Sequence, residues 1–547
     1  MKRNTLTNAV LAGIGGVAGL AGIANAVNLN PDGLGEVLIY PFYTVNGGND
    51  TLLSVVNTTN DVKAVKVRFV DSKNSREVLD FNLYLSPFDV WTGVVTDPQG
   101  DDSGLAAVAT ADRSCTVPSF FAQNDGTLGA GIPYVNFKTI RFDEDETIPG
   151  VDVTDQSPER TREGHFEVIE MGIVDEDVDL QDTDLEAAAI HGVDGIPFDC
   201  AALVAAWVPG GIWNATGDRG ADTDVRTPEG GLFGSASIIN VLNGTQVGFN
   251  ADAIAAFYDP NPADIGAPLT LHALPGSEEP TLRQANTAAT SGSNFIVQST
   301  VFDNGRIVTS DWDANLLVES PPGSGTLVPN AGRINAVSAI YMHNNIYNEY
   351  AIDSVLNGAT EWVMTFPTKR FYVDQIPALA PFTVTYNDEQ IADGASCEEI
   401  GISFTDREEG DPGQTPGQVN FSPFDPARAQ APQLCYEAQV ITFGQEDNTG
   451  PSSILGSPNS ENISTATVAG TSYENGWATI NFTSDTLGRG DHAYTSDDGD
   501  TYLGLPVTGF QITVVQNGTL ADSAGNSVLS NYAGLFGHRA SRSIAGS

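Results

Sequence analysis

Basic residues are few in this sequence: its 547 residues include 24 Lys and Arg against 70 Asp and Glu, for a formal net charge of −46. The acidic count is ordinary for such a length and the basic count is not, so the surface is of one sign. That sign opposes phosphate backbones and anionic bilayers, which sets nucleic-acid binding aside, and it favours solubility or the ordered binding of cations. Adaptation to salty surroundings would select the same surface. Long apolar runs are also missing: beyond the first residues no stretch reaches the roughly 20 apolar residues that a membrane-spanning helix needs. The local signatures of several enzyme classes are absent too, with no G-x-S-x-G, no P-loop, no H-E-x-x-H and no pair of histidines at metal-ligand spacing. His165, His191, His272, His343, His492 and His538 are scattered, so a Ser-His-Asp site would have to be assembled from distant residues.

Cysteine is scarce, and C-x-x-C does not occur. Cys115, Cys200, Cys397 and Cys435 are even in number and match no zinc module, which points to structural disulfides. Order along the chain suggests Cys115 with Cys200 and Cys397 with Cys435, with pairing across the two halves left open. The loop between Cys397 and Cys435 holds Pro412, Pro416, Pro423, Pro426 and Pro432, and so reads as an exposed excursion closed at its base.

Residues 1–26 have the form of a secretory signal peptide. Lys2 and Arg3 precede the apolar run from Ala9 to Ile23, and Ala24-Asn25-Ala26 supplies a small-x-small cleavage site. Val27 is then the first mature residue, and loss of Lys2 and Arg3 takes the net charge from −46 to −48. The remaining length exceeds one ordinary core.

The periodicity predicts a mainly β protein in three regions. Residues 27–105 read as an immunoglobulin-like β-sandwich, with strands over Val37–Tyr43, Thr51–Asn57, Ala64–Asp71, Val78–Leu85 and Val90–Thr96. In the third strand Val65, Val67 and Phe69 alternate with Lys66 and Arg68, which predicts that the strand buries one face. Residues 106–377 read as a mixed, loop-rich region. It has strands over Gly164–Val174, Asn294–Phe302, Ala336–Met342 and Trp362–Val373, and helices over Asp184–His191, Asp199–Trp207 and Ala251–Tyr258. Asp199 is placed to cap the second helix. Residues 378–547 read as a second sandwich-like region, with strands over Pro381–Tyr386, Glu398–Asp406, Leu434–Phe443, Trp477–Phe482 and Gly509–Val515. No fixed-period repeat indicates a solenoid or propeller.

The chemistry-bearing candidates are acidic. Asp175, Asp177, Asp179, Asp182 and Glu186 offer the hard oxygen ligands that Ca²⁺ takes. Asp175, Asp177, Asp179 and Glu186 fall at positions one, three, five and twelve of an EF-hand-type loop, but Leu180 stands where that loop needs glycine. A looser site at the strand-to-helix junction is the candidate that remains. Asp497, Asp498 and Asp500 form a second candidate, and Asp303 with Asp311 and Asp313 a third. Paired carboxylates would also serve glycoside hydrolysis, with Trp91, Trp207, Trp213, Trp312 or Trp362 as a sugar platform, although tryptophans this sparse are ordinarily core residues.

Asn30-Pro31-Asp32-Gly33-Leu34-Gly35-Glu36-Val37-Leu38-Ile39-Tyr40-Pro41-Phe42-Tyr43-Thr44 and Asn49-Asp50-Thr51-Leu52-Leu53-Ser54-Val55-Val56-Asn57-Thr58-Thr59 resemble a group of exported proteins of Gram-negative bacteria with no established activity. Gly164-His165-Phe166-Glu167-Val168-Ile169-Glu170-Met171-Gly172 and Trp362-Val363-Met364-Thr365-Phe366-Pro367-Thr368-Lys369 extend the likeness along most of the chain. The resemblance implies export and a cell-surface position, and it carries no catalytic residue over. With the residue pattern it leads to an exported structural or interaction protein, assembling with itself or adhering to a glycan or cell-surface partner, with Ca²⁺ as the one cofactor considered. The rival expectation is a secreted polysaccharide hydrolase working through an Asp/Glu pair.

Overall fold

Alternating apolar and polar residues between 37 and 96 form strands where their pattern predicts, at Val37–Thr44, Asn49–Asn57, Val62–Asp71, Glu77–Leu85 and Val90–Thr96. The structure, a computed structural model, describes residues 26–142, 155–175, 184–214, 224–259, 268–291, 294–313, 317–319, 327–329, 331–353, 357–374, 377–386, 394–407, 432–444, 450–464, 474–483, 492–516, 521–526, 528, 530–546. These residues are mainly β, arranged in mostly antiparallel sheets with few short helices, and no sheet closes into a barrel. No described helix is long and apolar enough to cross a membrane.

Residues 27–105 share their sheets with later parts of the chain. An eight-stranded sheet sets Glu163–Val174 between Val37–Thr44 and Val62–Asp71, antiparallel to both. A seven-stranded sheet sets Leu232–Asn240 beside Asn49–Asn57. One buried cluster takes Tyr40, Phe69, Phe81 and Phe166 from the first sheet and Leu53, Val55, Trp91 and Ile238 from the second. It continues through Val363, Val440, Phe510 and Ile512. These lie on a five-stranded sheet ordered Ser460–Ser464, Ala438–Gly444, Gly358–Thr365, Thr508–Gln516, Asn531–Gly537. All three expected regions, 27–105, 106–377 and 378–547, therefore feed one cluster, because each region's apolar strand faces need partners that its neighbours supply.

Four local expectations are corrected. Ala251–Tyr258 is not a helix: Asp252–Ala255 is a strand whose Ala253 and Ile254 pair with Leu38 and Val37, so sheet pairing overrides alanine's helix preference. Ala336–Met342 lies mostly in the helix Ala331–Tyr341 rather than in a strand. Ala336, Val337, Ala339 and Ile340 are all buried, and a helix covered on every side lacks the period that would reveal it. The stretch Trp362–Val373 is strand only to Thr365, after which Arg370–Val373 is helical; Pro367 in between cannot donate to a ladder. Pro381–Tyr386 forms no strand.

The polar face of Val62–Asp71 is covered too. Lys66 and Arg68 are buried, as is Lys63. Lys63 Nζ lies 2.8 Å from Glu170 and Lys66 Nζ 3.4 Å from Asp80, while Arg68 pairs with Glu167 at 2.6 Å and Glu77 at 3.0 Å. The lid over this face is the segment 273–278: Lys66 also donates to the carbonyls of Leu274 and Ser277, and Asn82 to that of Ala273. Strand alternation indicates which side chains share a face, not whether a distant loop covers it. Arg76, Arg160, Arg162 and Lys369 are buried as well, so seven basic side chains among the described residues are withdrawn from solvent.

Both disulfides form in sequential order, Cys115–Cys200 and Cys397–Cys435. Most of the proline-rich loop within the second lies outside the described residues.

Candidate functional site

Among the described residues no group of three or more His, Cys, Asp or Glu is placed to hold a metal ion. Asp177, Asp179 and Asp182 lie outside the described residues. Asp175, at the end of Glu163–Val174, forms an ion pair with Arg226. Glu186 sits in the first turn of the helix Leu185–Ala189, which Asp184 caps by accepting from the Ala187 amide at 2.7 Å. The other two acidic candidates meet each other. Asp497 donates its amide to the Asp311 carbonyl at 3.0 Å and accepts the Asp313 amide on its carboxylate, and burial, with Asp313, Asp498 and Asp311 nearby, raises its pKa. The remaining carboxylates turn to protein donors. Asp500 accepts from Ser310 at 2.9 Å, Asp498 from Ser496 and Asp311 from Gln298 at 2.7 Å, and Asp303 pairs with Arg306 at 3.0 Å.

The scattered histidines are likewise bound into the fold. Ser86 Oγ and Asp89 Oδ2 lie 2.7 and 3.5 Å from His191, both at Nδ1. A nucleophile–base–acid relay needs the two ring nitrogens engaged separately, so this trio does not supply one. His492 bridges the Phe482 carbonyl and Glu398 in a buried pair. Trp91, Trp207, Trp213, Trp312 and Trp362 are all buried and offer no sugar platform; Trp207 donates to Tyr84 at 2.7 Å and Trp213 to Asp224 at 2.9 Å.

A cleft of about 470 Å³ opens where Val37–Thr44 begins, lined by Asn28, Asn30, Leu34, Gly35, Glu36, Glu229, Gly230, Gly231, Ala255 and Ala256. Gly35 is required here, because a Cβ at that position would stand 2.5 Å from the Ile254 carbonyl oxygen. Gly230 and Gly231 adopt φ of +83° and +85°, conformations that side chains disfavour. Glu170, anchored on Lys63, accepts the Glu229 and Gly230 amides at 3.2 and 2.7 Å and so holds this turn. Glu36 accepts the Tyr258 amide at 2.6 Å. Burial, then the neighbouring Glu170, pushes its carboxyl up to about 8. A carboxyl still protonated near neutrality, with the Glu229 carboxylate on the cleft wall, can donate a proton to a polar ligand. Sequence reasoning did not single out Glu36, a lone acid before a buried strand; only the approach of the 229–231 and 255–258 segments gives it this setting.

Buried titrating groups set the pH dependence of stability. Burial pushes Glu36, Glu437 and Glu163 up to about 8, about 8 and about 7, and pushes His165, His343 and His538 down to about 3, about 3 and about 4. A carboxyl with a raised folded pKa takes up a proton on folding. Its contribution is full below the unfolded value near 4.5 and is lost as pH rises through the folded value. A histidine buried neutral contributes above its unfolded value near 6.5, and that contribution is lost as pH falls toward the folded value. The thermal midpoint is therefore expected to peak at about pH 5–6.5 and to fall on either side. Glu36→Gln should flatten the fall between pH 6.5 and about 8 in calorimetric scans; a wild-type midpoint that rises over that interval would refute the assignment.

No protein-family model, curated protein or solved structure matches the chain.

Proposed function

We propose that the chain is an exported structural or interaction protein, working at the cell surface or outside the cell through assembly or adhesion. The observation that carries this reading is where polar and apolar groups are spent. Carboxylates and histidines suited to chemistry are tied into the interior, as in Glu398–His492 and Glu170–Lys63, while large apolar side chains stand in solvent on turns and sheet edges. Phe88, Val193 and Phe198 are exposed on segments that His191 joins to Ser86, and Val241, Leu242, Tyr532 and Phe536 are exposed at another corner. Exposed apolar groups gathered in this way mark contact surfaces. Two disulfides suit an oxidising compartment.

Light scattering on residues 27–547, with and without millimolar Ca²⁺, tests this, and higher-order species are expected. A strictly monodisperse monomer under both conditions would remove assembly. The Glu36 cleft favours one second reading, a hydrolase acting on polysaccharide. Turnover on a polysaccharide panel that disappears in a folded Glu36→Gln variant would put that reading in place of the first.

A further inference from the structure

We infer that strand Asn531–Gly537 is a self-pairing edge, through which two copies of this chain join their five-stranded sheets about a two-fold axis at Gly534. The inference rests on the assembly reading above and names its interface. Asn531–Gly537 ends its sheet: it pairs with Thr508–Gln516 on one side, and no described strand pairs with the other. The His538 amide donates to the Gly509 carbonyl at 3.4 Å, and the Gly537 carbonyl accepts the Arg539 side chain at 3.3 Å. Antiparallel bonding alternates along a strand, so even-numbered residues bond inward and Asn531, Ala533, Leu535 and Gly537 turn their N–H and C=O groups to the open edge. A row of this kind is a template for another strand unless charge, proline or a covering element blunts it. The segment 531–537 contains neither a charged residue nor a proline, and Thr245–Asn250, which packs against it through the core, makes no ladder bond to it.

The occupant follows from charge and symmetry. Two copies of a chain with net charge −46 repel each other over most of their surfaces. The corner around this edge is an exception. Thr508–Gln516, Asn531–Gly537 and the hairpin strands Leu232–Asn240 and Thr245–Asn250 carry no charged residue, and no Asp or Glu occurs from Ser523 to Ser547. Thr245–Asn250 is itself the end strand of the seven-stranded sheet. Its hairpin turn touches the edge where the Asn531 amide group donates to the Asn243 carbonyl at 2.6 Å. The apolar groups here are open to solvent, with relative exposures of 72% for Val241, 86% for Leu242, 64% for Tyr532 and 56% for Phe536. An antiparallel pair centred on Gly534 sets Tyr532 opposite the partner's Phe536 twice, forming cross-strand aromatic pairs. On the other face it sets Ala533 opposite Leu535, both of which already pack against the main cluster, so the core would continue across the axis. Ala533 and Leu535 would exchange N–H and C=O with each other's copy.

Sedimentation equilibrium on residues 27–547 tests this with three variants, each checked for an unchanged thermal midpoint. Tyr532→Glu with Phe536→Glu places like charges opposite each other across the axis and should weaken the dimer roughly tenfold or more. Tyr532→Glu with Phe536→Lys places opposite charges there and should restore most of the association, a recovery that only this register produces. Ala533→Pro removes an outward N–H without touching the inward ladder, and it should weaken the dimer even if the charged variants prove unstable. Association indifferent to all three variants would overturn the edge assignment and leave assembly through another surface standing. A monomeric wild type at every concentration would overturn both.

Discussion

Replacing Glu170 by leucine is expected to destabilise the protein by about 3–5 kcal/mol, the cost of leaving one member of a buried ion pair without its partner. Lys63 and Glu170 are both fully buried, 2.8 Å apart on adjacent strands, and the next carboxylate, Glu229, lies 3.7 Å from Lys63 and is half exposed. Glu170 also accepts the two amides that shape the Glu229–Gly230 turn, so its loss should loosen one wall of the Glu36 cleft. Denaturant unfolding of residues 27–547 would read the cost, and the double variant Lys63→Met with Glu170→Leu separates its parts. Recovery of most of the loss in the double variant is the expected result, because removing both charges removes the uncompensated desolvation. A single-variant loss below about 1 kcal/mol would mean that water reaches Lys63 and that the site is not the sealed pair described.

Removing the Cys115–Cys200 disulfide is the second large effect expected. The bond closes a separation of 85 residues, for which the loop-entropy relation gives roughly 4–5 kcal/mol. What it holds is the helix Cys200–Trp207, whose Leu203 and Trp207 are buried and whose indole bonds Tyr84. Cys115→Ala with Cys200→Ala should lower the midpoint strongly and alter the near-ultraviolet circular dichroism of the Trp207, Trp213 and Tyr84 group, where ring centroids lie within 5.7 Å. A loss of less than about 1 kcal/mol with an unchanged spectrum would show that aromatic packing alone seats the helix.

The N-terminal strands were legible because each runs several residues with period-two alternation between turn-forming segments, and the structure places them within a residue or two of the pattern. Asp199 was legible as a cap because an N-cap is a local contact, side chain to an amide three residues on. The helix Ala331–Tyr341 was not, since burial on all sides erases its period, and neither was the strand Asp252–Ala255, whose conformation is decided by pairing with residues far away in sequence. Of the candidate sites, the sequence offered acidic residues at ligand-like spacings. The structure instead turned Asp498, Asp500 and Asp303 toward Ser496, Ser310 and Arg306, and brought Asp497 to Asp311 and Asp313, a meeting of segments almost two hundred residues apart.

By itself the sequence determined the β character, the acidic balance and the cap at Asp199, because each follows from composition or from contacts a few residues long. Only the tertiary structure decided the rest. Lys66 and Arg68 are buried because the 273–278 segment covers them, Glu36 sits in a cleft because two distant turns approach it, and Asn531–Gly537 is an open edge because no described strand takes its other side. Burial and edge status belong to the neighbours that long-range packing assembles, and no local pattern of residues encodes who those neighbours will be.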